Sequence, residues 1–232
     1  MITLVVASRN ADKIREVQEI LGAAFRCLPL SEFPGARQLI EDGDTFAANA
    51  TGKAVQLARW LATQRNPKPE TPDAELLVLA DDSGLEADAL NGAPGVHSAR
   101  FAALDGGLSG NSSDDTNNAK LLRLLRDVPA AKRTARFRCV LALTHVPAVS
   151  VESASPVCLA DEVELRTELF DGACEGHIAF GPTGNRGFGY DPLFIPVGYH
   201  QSFAELGNEV KNQMSHRARA LTRLSERLLG KS

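Results

Sequence analysis

The stretch Leu76-Leu77-Val78-Leu79-Ala80-Asp81-Asp82-Ser83-Gly84 does most to narrow what this chain can fold into. An apolar run of this length, closed by a turn signal, reads as a buried strand. In open α/β sheets ligands gather beyond the carboxyl ends of such strands, so the two acids are expected where the strand gives way to a turn. Adjacent carboxylates repel each other unless a proton or a cation sits between them. Mg²⁺ suits that place, because it takes one or two carboxylates and fills its shell with water and phosphate. The structural alternative is an Asx-turn that caps the strand with both acids in water.

The flanking segments supply the layers. Ile2 to Ala7 reads as a strand and Asp12 to Leu21 as a helix, with Ile14, Val17, Ile20 and Leu21 on one face and Gly22 as its stop. Thr45 caps a second helix whose buried stripe is Phe46, Ala50, Leu57 and Leu61. The proline-rich segment 66–72 reads as a loop and Asn91 to Gly95 as a tight turn. Gly106 to Asn118 is rich in Gly, Ser, Asp and Asn and is expected to be mobile, with a helical piece following from Lys120 to Arg126. Arg136 to Leu143 reads as a strand, and Val163 to Leu169 alternates like a strand with one wet face. Ser202 and Glu205 fit a capping box, and Ser215 to Leu229 a closing helix with Leu221, Leu224 and Leu228 inward. No repeat or interdomain linker interrupts this order. Residues 1–232 are therefore expected to form one α/β domain on a mixed sheet.

Composition excludes several classes. A net charge of −4 argues against a nucleic-acid surface, though a local cationic cluster would still hold a small anion. The 4 cysteines are scattered without a C-x-x-C pair, which reads as reduced structural thiols. The 5 histidines lack zinc-ligand spacing. No run is long enough to span a bilayer and no signal segment is visible, so a soluble cytoplasmic protein is expected, with no membrane partner. Neither a G-x-G-x-x-G after the first strand nor a P-loop is present.

Polar residues cluster at helix starts. Ser8, Asn10 and Lys13 lie where the first strand turns into the first helix, a place whose free N–H groups suit phosphate; an ordinary Asn10 N-cap is the plainer reading. Asn49 and Lys53, four apart, share one face of the second helix. Glu41-Asp42-Gly43-Asp44 precedes it. Compensation of the helix dipole accounts for these acids, and Glu41 is also a candidate metal ligand. The closing helix breaks a local rule: His216 and Arg217 put positive groups at its positive end, with Lys211 close before them. An anion or a row of acceptors is expected there. The glycines of 181–192 permit close approach to a ligand; Phe188 and Tyr190 could stack on a planar ring, and Asp191 could accept from it.

Taken together, Ser8-x-Asn10-x-x-Lys13, Thr45-Phe46-x-x-Asn49-Ala50-x-x-Lys53-Ala54, Ala80-Asp81-Asp82-Ser83-Gly84-Leu85, Gly92-Ala93-Pro94-Gly95-Val96-x-Ser98-Ala99-Arg100-Phe101, Phe188-Gly189-Tyr190-Asp191-Pro192 and Ser215-His216-Arg217 run in one fixed order along the chain. In that order they resemble the inosine/xanthosine triphosphate pyrophosphatase (HAM1) family. The resemblance implies a homodimer of elongated α/β subunits, each with a long mixed sheet, flanking helices and a cleft between two lobes. It implies Mg²⁺-dependent hydrolysis of deaminated purine triphosphates (ITP, dITP, XTP) to the monophosphate and pyrophosphate. By position, Asp82 would act on metal and water, assisted by Asp81. Ser8, Asn10, Lys13 and Lys53 would hold phosphate, and Ser83 would touch substrate. Phe188, Gly189, Tyr190, Asp191, Lys211, His216 and Arg217 would bind base and sugar. Glu41-Asp42-Gly43-Asp44 follows the family's Glu-Glu-Thr-Gly only loosely, and His97 stands where a tyrosine is usual.

The chemistry agrees with that outline. A triphosphate bond breaks to a good leaving group once its charge is met, so positioned water and charge stabilisation suffice. Arg217 can only donate, which suits a 6-keto oxygen and disfavours an adenine amino group. The alternatives are a Maf-like pyrophosphatase of broader base range and a nucleotide-binding regulator without turnover.

Overall fold

The computed structural model describes residues 1–64, 76–107, 110–146 and 165–230. Its strands are β1 (Ile2–Val6), β2 (Phe25–Pro29), β3 (Leu77–Ala87), β4 (Thr134–His145), β5 (Thr167–Ile178) and β6 (Phe194–Pro196). Its helices are α1 (Ala11–Leu21), α2 (Phe46–Thr63), α3 (Asp114–Leu124), α4 (Phe203–Leu206), α5 (Asn208–Met214) and α6 (His216–Leu229). The strands form one sheet in the order β2-β1-β3-β4-β5-β6. β1 pairs in parallel with β2 and β3, and every later pair is antiparallel, so the expected mixed α/β sheet is present. None of the described helices is long and apolar enough to cross a membrane.

Period-two alternation along β3 builds the layers. Val78 and Ala80 point to one face and pack on Ala50, Ala54, Leu57 and Leu61 of α2. Leu77 and Leu79 point to the other and pack on Val17 and Leu21 of α1 and Leu221 and Leu224 of α6. Further along, Leu85 and Ala87 join a third cluster with Phe137, Phe194 and Phe203. On the α1/α6 face, Asp81 and Ser83 interrupt the apolar row between the second cluster and the third.

The caps are as the residue types dictate. The Asn10 side chain accepts from the Asp12 and Lys13 amides, and Gly22 ends α1 at φ 65°. Thr45 caps α2, Ser215 caps α6, and Ser202 with Glu205 closes a capping box on α4.

Several expectations need correction. The strand does not stop at the acids. β3 runs on through Asp81-Asp82-Ser83-Gly84 to Ala87, because β4 pairs with it residue for residue along that length. The Asx-turn alternative fails for the same reason. Helix α3 begins at Asp114, earlier than Lys120, since Ser113 accepts from Thr116 N and acids fill the first turn. The reading of Gly106 to Asn118 as mobile therefore fails from Asp114 onward, and residues 108–109 lie outside the described ones. β2 and β6 were not anticipated. β5 extends to Ile178 and is antiparallel, as its alternation implied. The proline-rich loop, Cys158, Val163 and Glu164 lie outside the described residues.

Candidate active site

Because Asp81 and Asp82 are neighbours in a strand, their side chains leave opposite faces of the sheet. The expectation of one cation wedged between the two carboxylates gives way to two charge centres on opposite faces of β3, linked by the Lys13 charge, which acts on both acids, and by Lys53, which reaches the Asp81 carbonyl.

On the α1/α6 face, Asp81 is 4% exposed. It accepts from Lys13 Nζ at 2.5 Å, Arg217 Nε at 2.9 Å, Ser83 Oγ at 2.8 Å and Cys139 Sγ at 3.3 Å. Burial raises its pKa, but Arg217 and Lys13 outweigh that and hold the carboxyl well below its usual range. Arg217 also donates from Nη1 to Glu16 and from Nη2 to Ser83 Oγ at 3.2 Å. Lys211 donates to Asp191 at 2.6 Å and pairs with Glu16 at 2.7 Å. Glu16 thus ties the two cations together. It is buried, yet Arg217 and Lys211 keep its pKa below the usual value. The row of acceptors expected before α6 is Glu16, Asp81 and Asp191. Glu16 escaped the sequence reading; its signal was an acid three residues after Lys13, on the buried side of α1.

On the α2 face, Asp82 is 6% exposed. It accepts from Lys53 Nζ at 3.2 Å and Asn49 Nδ2 at 3.2 Å. Lys53 also donates to the Asp81 carbonyl at 2.7 Å and approaches Glu41 at 3.4 Å. Burial outweighs the Lys53 and Lys13 charges here and raises the Asp82 pKa. The two adjacent carboxyls are therefore shifted in opposite directions.

Gly84 lets the site close. A Cβ there would drive into the Gly95 carbonyl and Ser98 Oγ, and Ser98 Oγ in turn accepts from Leu85 N at 2.9 Å. His216 is buried, stacks on Phe137 at 4.8 Å between centroids, and its Nδ1 has no partner among the described residues. Burial, then the Arg217 and Lys211 charges, push its pKa well below the usual value, so it is neutral.

The remaining sequence candidates fall around this centre. Phe188 covers the cations, its ring centroid 4.4 Å from Lys211 Nζ and 5.9 Å from Arg217 Cζ. Asp191 accepts from the Phe188 amide at 2.9 Å, and burial raises its pKa despite Lys211. Tyr190 turns inward: it is 4% exposed and its hydroxyl donates to the Ser98 carbonyl at 2.9 Å, so its ring is not open for stacking. Ser8 and Asn10 lie on the turn before α1, where Ser8 Oγ accepts from Asn10 N and the Asn10 carbonyl group is spent on capping. A hollow of about 530 Å³ borders Phe188 and Gly189 but not the buried cations.

Four cations, Lys13, Lys53, Lys211 and Arg217, face five carboxylates, Glu16, Glu41, Asp81, Asp82 and Asp191. Among the described residues no group of three or more His, Cys, Asp or Glu is gathered as a metal cage.

Fold and site together define an α/β protein with a charge-dense centre carried on the middle of a strand. The chain belongs to the Ham1 family, whose sequence model matches residues 4–227. It is 44% identical over 225 residues to the dITP/XTP pyrophosphatase of Desulforamulus reducens, covering 96% of this chain and 94% of that protein. It is 42% identical over 230 residues to the dITP/XTP pyrophosphatase of Shouchella clausii, covering 99% and 98%. Among solved structures, the Staphylococcus aureus Ham1 protein superimposes with a TM-score of 0.74 at 33% identity, over 99% of this chain and 100% of that one.

Proposed function

We propose that this chain hydrolyses deaminated purine nucleoside triphosphates, ITP, dITP and XTP, to the monophosphate and pyrophosphate. The observation that carries the reading is convergence: cations from α1, α2 and α6 meet the Asp81–Asp82 pair on the two faces of one strand, and Lys211 of α5 is tied to Arg217 through Glu16.

Lys13 and Lys53 meet the phosphates, with Ser8 and Asn10 donating at the helix start. Asp82, whose raised pKa makes it the better proton acceptor of the pair, takes the proton of the water that attacks the α-phosphorus. The bond to the bridging oxygen breaks and pyrophosphate leaves. Asp81 stays ionised and fixes Lys13, Arg217 and Ser83. The base enters between the Phe188 ring and the Lys211–Arg217 pair, replacing the cation–π contacts. Of the five N–H groups on Arg217, those not given to Asp81, Glu16 and Ser83 donate to the 6-keto oxygen. Gly189 and Tyr190 hold the loop that carries Phe188, Asp191 orients Lys211, and His216 walls the base pocket as a neutral ring.

The carboxylate excess supports a divalent cation. A site with one more acid than cations cannot take a triphosphate unless positive charge arrives with it. Asp82 and Glu41, both beside Lys53, are the pair that would hold Mg²⁺, which accepts two carboxylates and shares its shell with water and phosphate. When bound, the ion supplies charge stabilisation on the phosphate oxygens. The chain is read as a cytoplasmic homodimer of two-lobed subunits.

Pyrophosphate release is measured over ITP, XTP, dITP, GTP, ATP and dTTP, with and without Mg²⁺. Turnover of the first three with Mg²⁺, and at least about 100-fold lower kcat/KM for ATP, is expected. Equal turnover of all bases would favour a Maf-like enzyme, and nucleotide binding without turnover a regulator.

A further inference from the structure

We propose that Asp114 and Asn118, one turn apart on α3, are positioning residues for the nucleobase loop. The inference rests on the activity proposed above and adds residues that no motif of the sequence supplied. The Gly189 N–H donates to Asp114 Oδ2 at 2.6 Å, and the Gly189 carbonyl accepts from Asn118 Nδ2 at 3.0 Å. The two peptides flanking one glycine are thus held from one helix. Gly189 itself sits at φ 65°, a left-handed conformation that glycine adopts at the least steric cost.

Phe188 and Tyr190 flank that glycine. Fixing it sets where the Phe188 ring stands over Lys211. Tyr190 is pinned on the far side by Ser98. The helix is anchored in turn: Asn117 accepts from Ala102 N at 2.8 Å and donates to the Ala99 carbonyl at 3.3 Å. Asn118 is buried, and among the described residues its Oδ1 has no partner while its Nδ2 donates to the Gly189 carbonyl. Packing alone would be served by an apolar residue; an amide with a single bond to the loop marks that bond as its purpose.

The variants Asn118→Ala, Asp114→Ala and Asp114→Asn are compared for KM and kcat with ITP, thermal midpoint, and hydrogen exchange of segment 186–191 without ligand. Asn118→Ala is expected to raise KM about tenfold, the equivalent of one buried hydrogen bond, with kcat within about twofold. Asp114→Ala, at an exposed site, is expected to raise KM about threefold, and both alanine variants to speed loop exchange. Asp114→Asn keeps an acceptor and is expected to restore wild-type KM. Wild-type KM in Asn118→Ala, or equal loss in Asp114→Asn and Asp114→Ala, would overturn the proposal. A wild type inactive on every purine triphosphate would instead sink the assigned activity; the exchange measurement then decides the clamp by itself, and unchanged exchange in both alanine variants refutes it.

Discussion

Neutralising either member of the Asp81–Asp82 pair should give opposite effects on stability, although the residues are adjacent, isosteric changes apart and almost equally buried. Asp81 sits between Lys13 and Arg217, and its pKa is held well below the usual range. The folded state therefore prefers the ionised form, and that preference contributes stability at every pH above the ordinary carboxylate value. Asp81→Asn removes the charge and leaves two buried cations short of a partner. Breaking a buried pair in this way costs about 3–5 kcal/mol, or about 6–20 °C in Tm for a chain of this size. Asp82 is the reverse case. Its pKa is raised by burial in spite of Lys53, so the folded state carries the ionised form at a loss. In Asp82→Asn, Lys53 keeps the Asp81 carbonyl at 2.7 Å and Glu41 at 3.4 Å. Stability at neutral pH should be unchanged or higher, while kcat falls by about 10²–10⁴-fold with loss of the proton acceptor. Urea and thermal unfolding at pH 7 in EDTA, beside pyrophosphate release in Mg²⁺, measure both. An Asp81→Asn protein as stable as wild type would refute the charge argument. So would an Asp82→Asn protein destabilised by more than about 2 kcal/mol, a size reserved for lost buried partners.

Other outcomes follow from the same geometry. His216 has a depressed pKa in the folded state, so the unfolded chain takes the proton first; stability should fall as pH drops below about 6.5, by up to ~1.4 kcal/mol per unit. His216→Phe, which preserves the stack on Phe137, should flatten that slope in urea titrations at successive pH values. Glu16→Gln unties Lys211 from Arg217 and should raise KM for ITP by at least about tenfold, as expected for a charged hydrogen-bond partner lost at a binding site. Glu41→Gln should raise the half-saturating Mg²⁺ concentration by about 10–100-fold and leave Tm in EDTA unchanged; an unaltered metal requirement would remove Glu41 from the ligand set.

The sequence made the layers legible because they follow local rules. Caps at Thr45, Ser202 and Ser215, and the apolar stripe of α2, depend on neighbours within a turn. What failed depended on partners far along the chain. Nothing between Asp81 and Ala87 announces a strand; β4, some 60 residues later, supplies the ladder that overrides the turn-forming composition. β2 and β6 are short and owe their extended form to pairing with β1 and β5. The motif residues that gather at Asp81 and Asp82, namely Lys13, Asn49, Lys53, Ser83 and Arg217, stood out in the sequence, and so did the need for acceptors opposite Arg217. Glu16, Asp114 and Asn118 did not, because an acid or amide on an ordinary helix looks the same whether it faces water, a buried cation or the backbone of a distant loop.

A strand that runs straight on through two adjacent acids solves a particular electrostatic problem. A turn at the acids would have placed both carboxylates in one solvent-facing crevice, where repulsion raises one pKa at the expense of the other's definition. Alternation instead sends each acid into a different layer, and each layer supplies its own cation: Lys13 and Arg217 for Asp81, Lys53 for Asp82. One carboxyl is thereby held ionised between two cations, and the other, with fewer charges against its burial, has a raised pKa; the proposed function assigns them the parts of anchor and proton acceptor. The backbone between them, clamped on one side by Lys53 at the Asp81 carbonyl and ladder-bonded to β4, keeps the two roles at a fixed separation. A division of labour between identical side chains needs only the period of a β-strand and two helices of different charge on its faces.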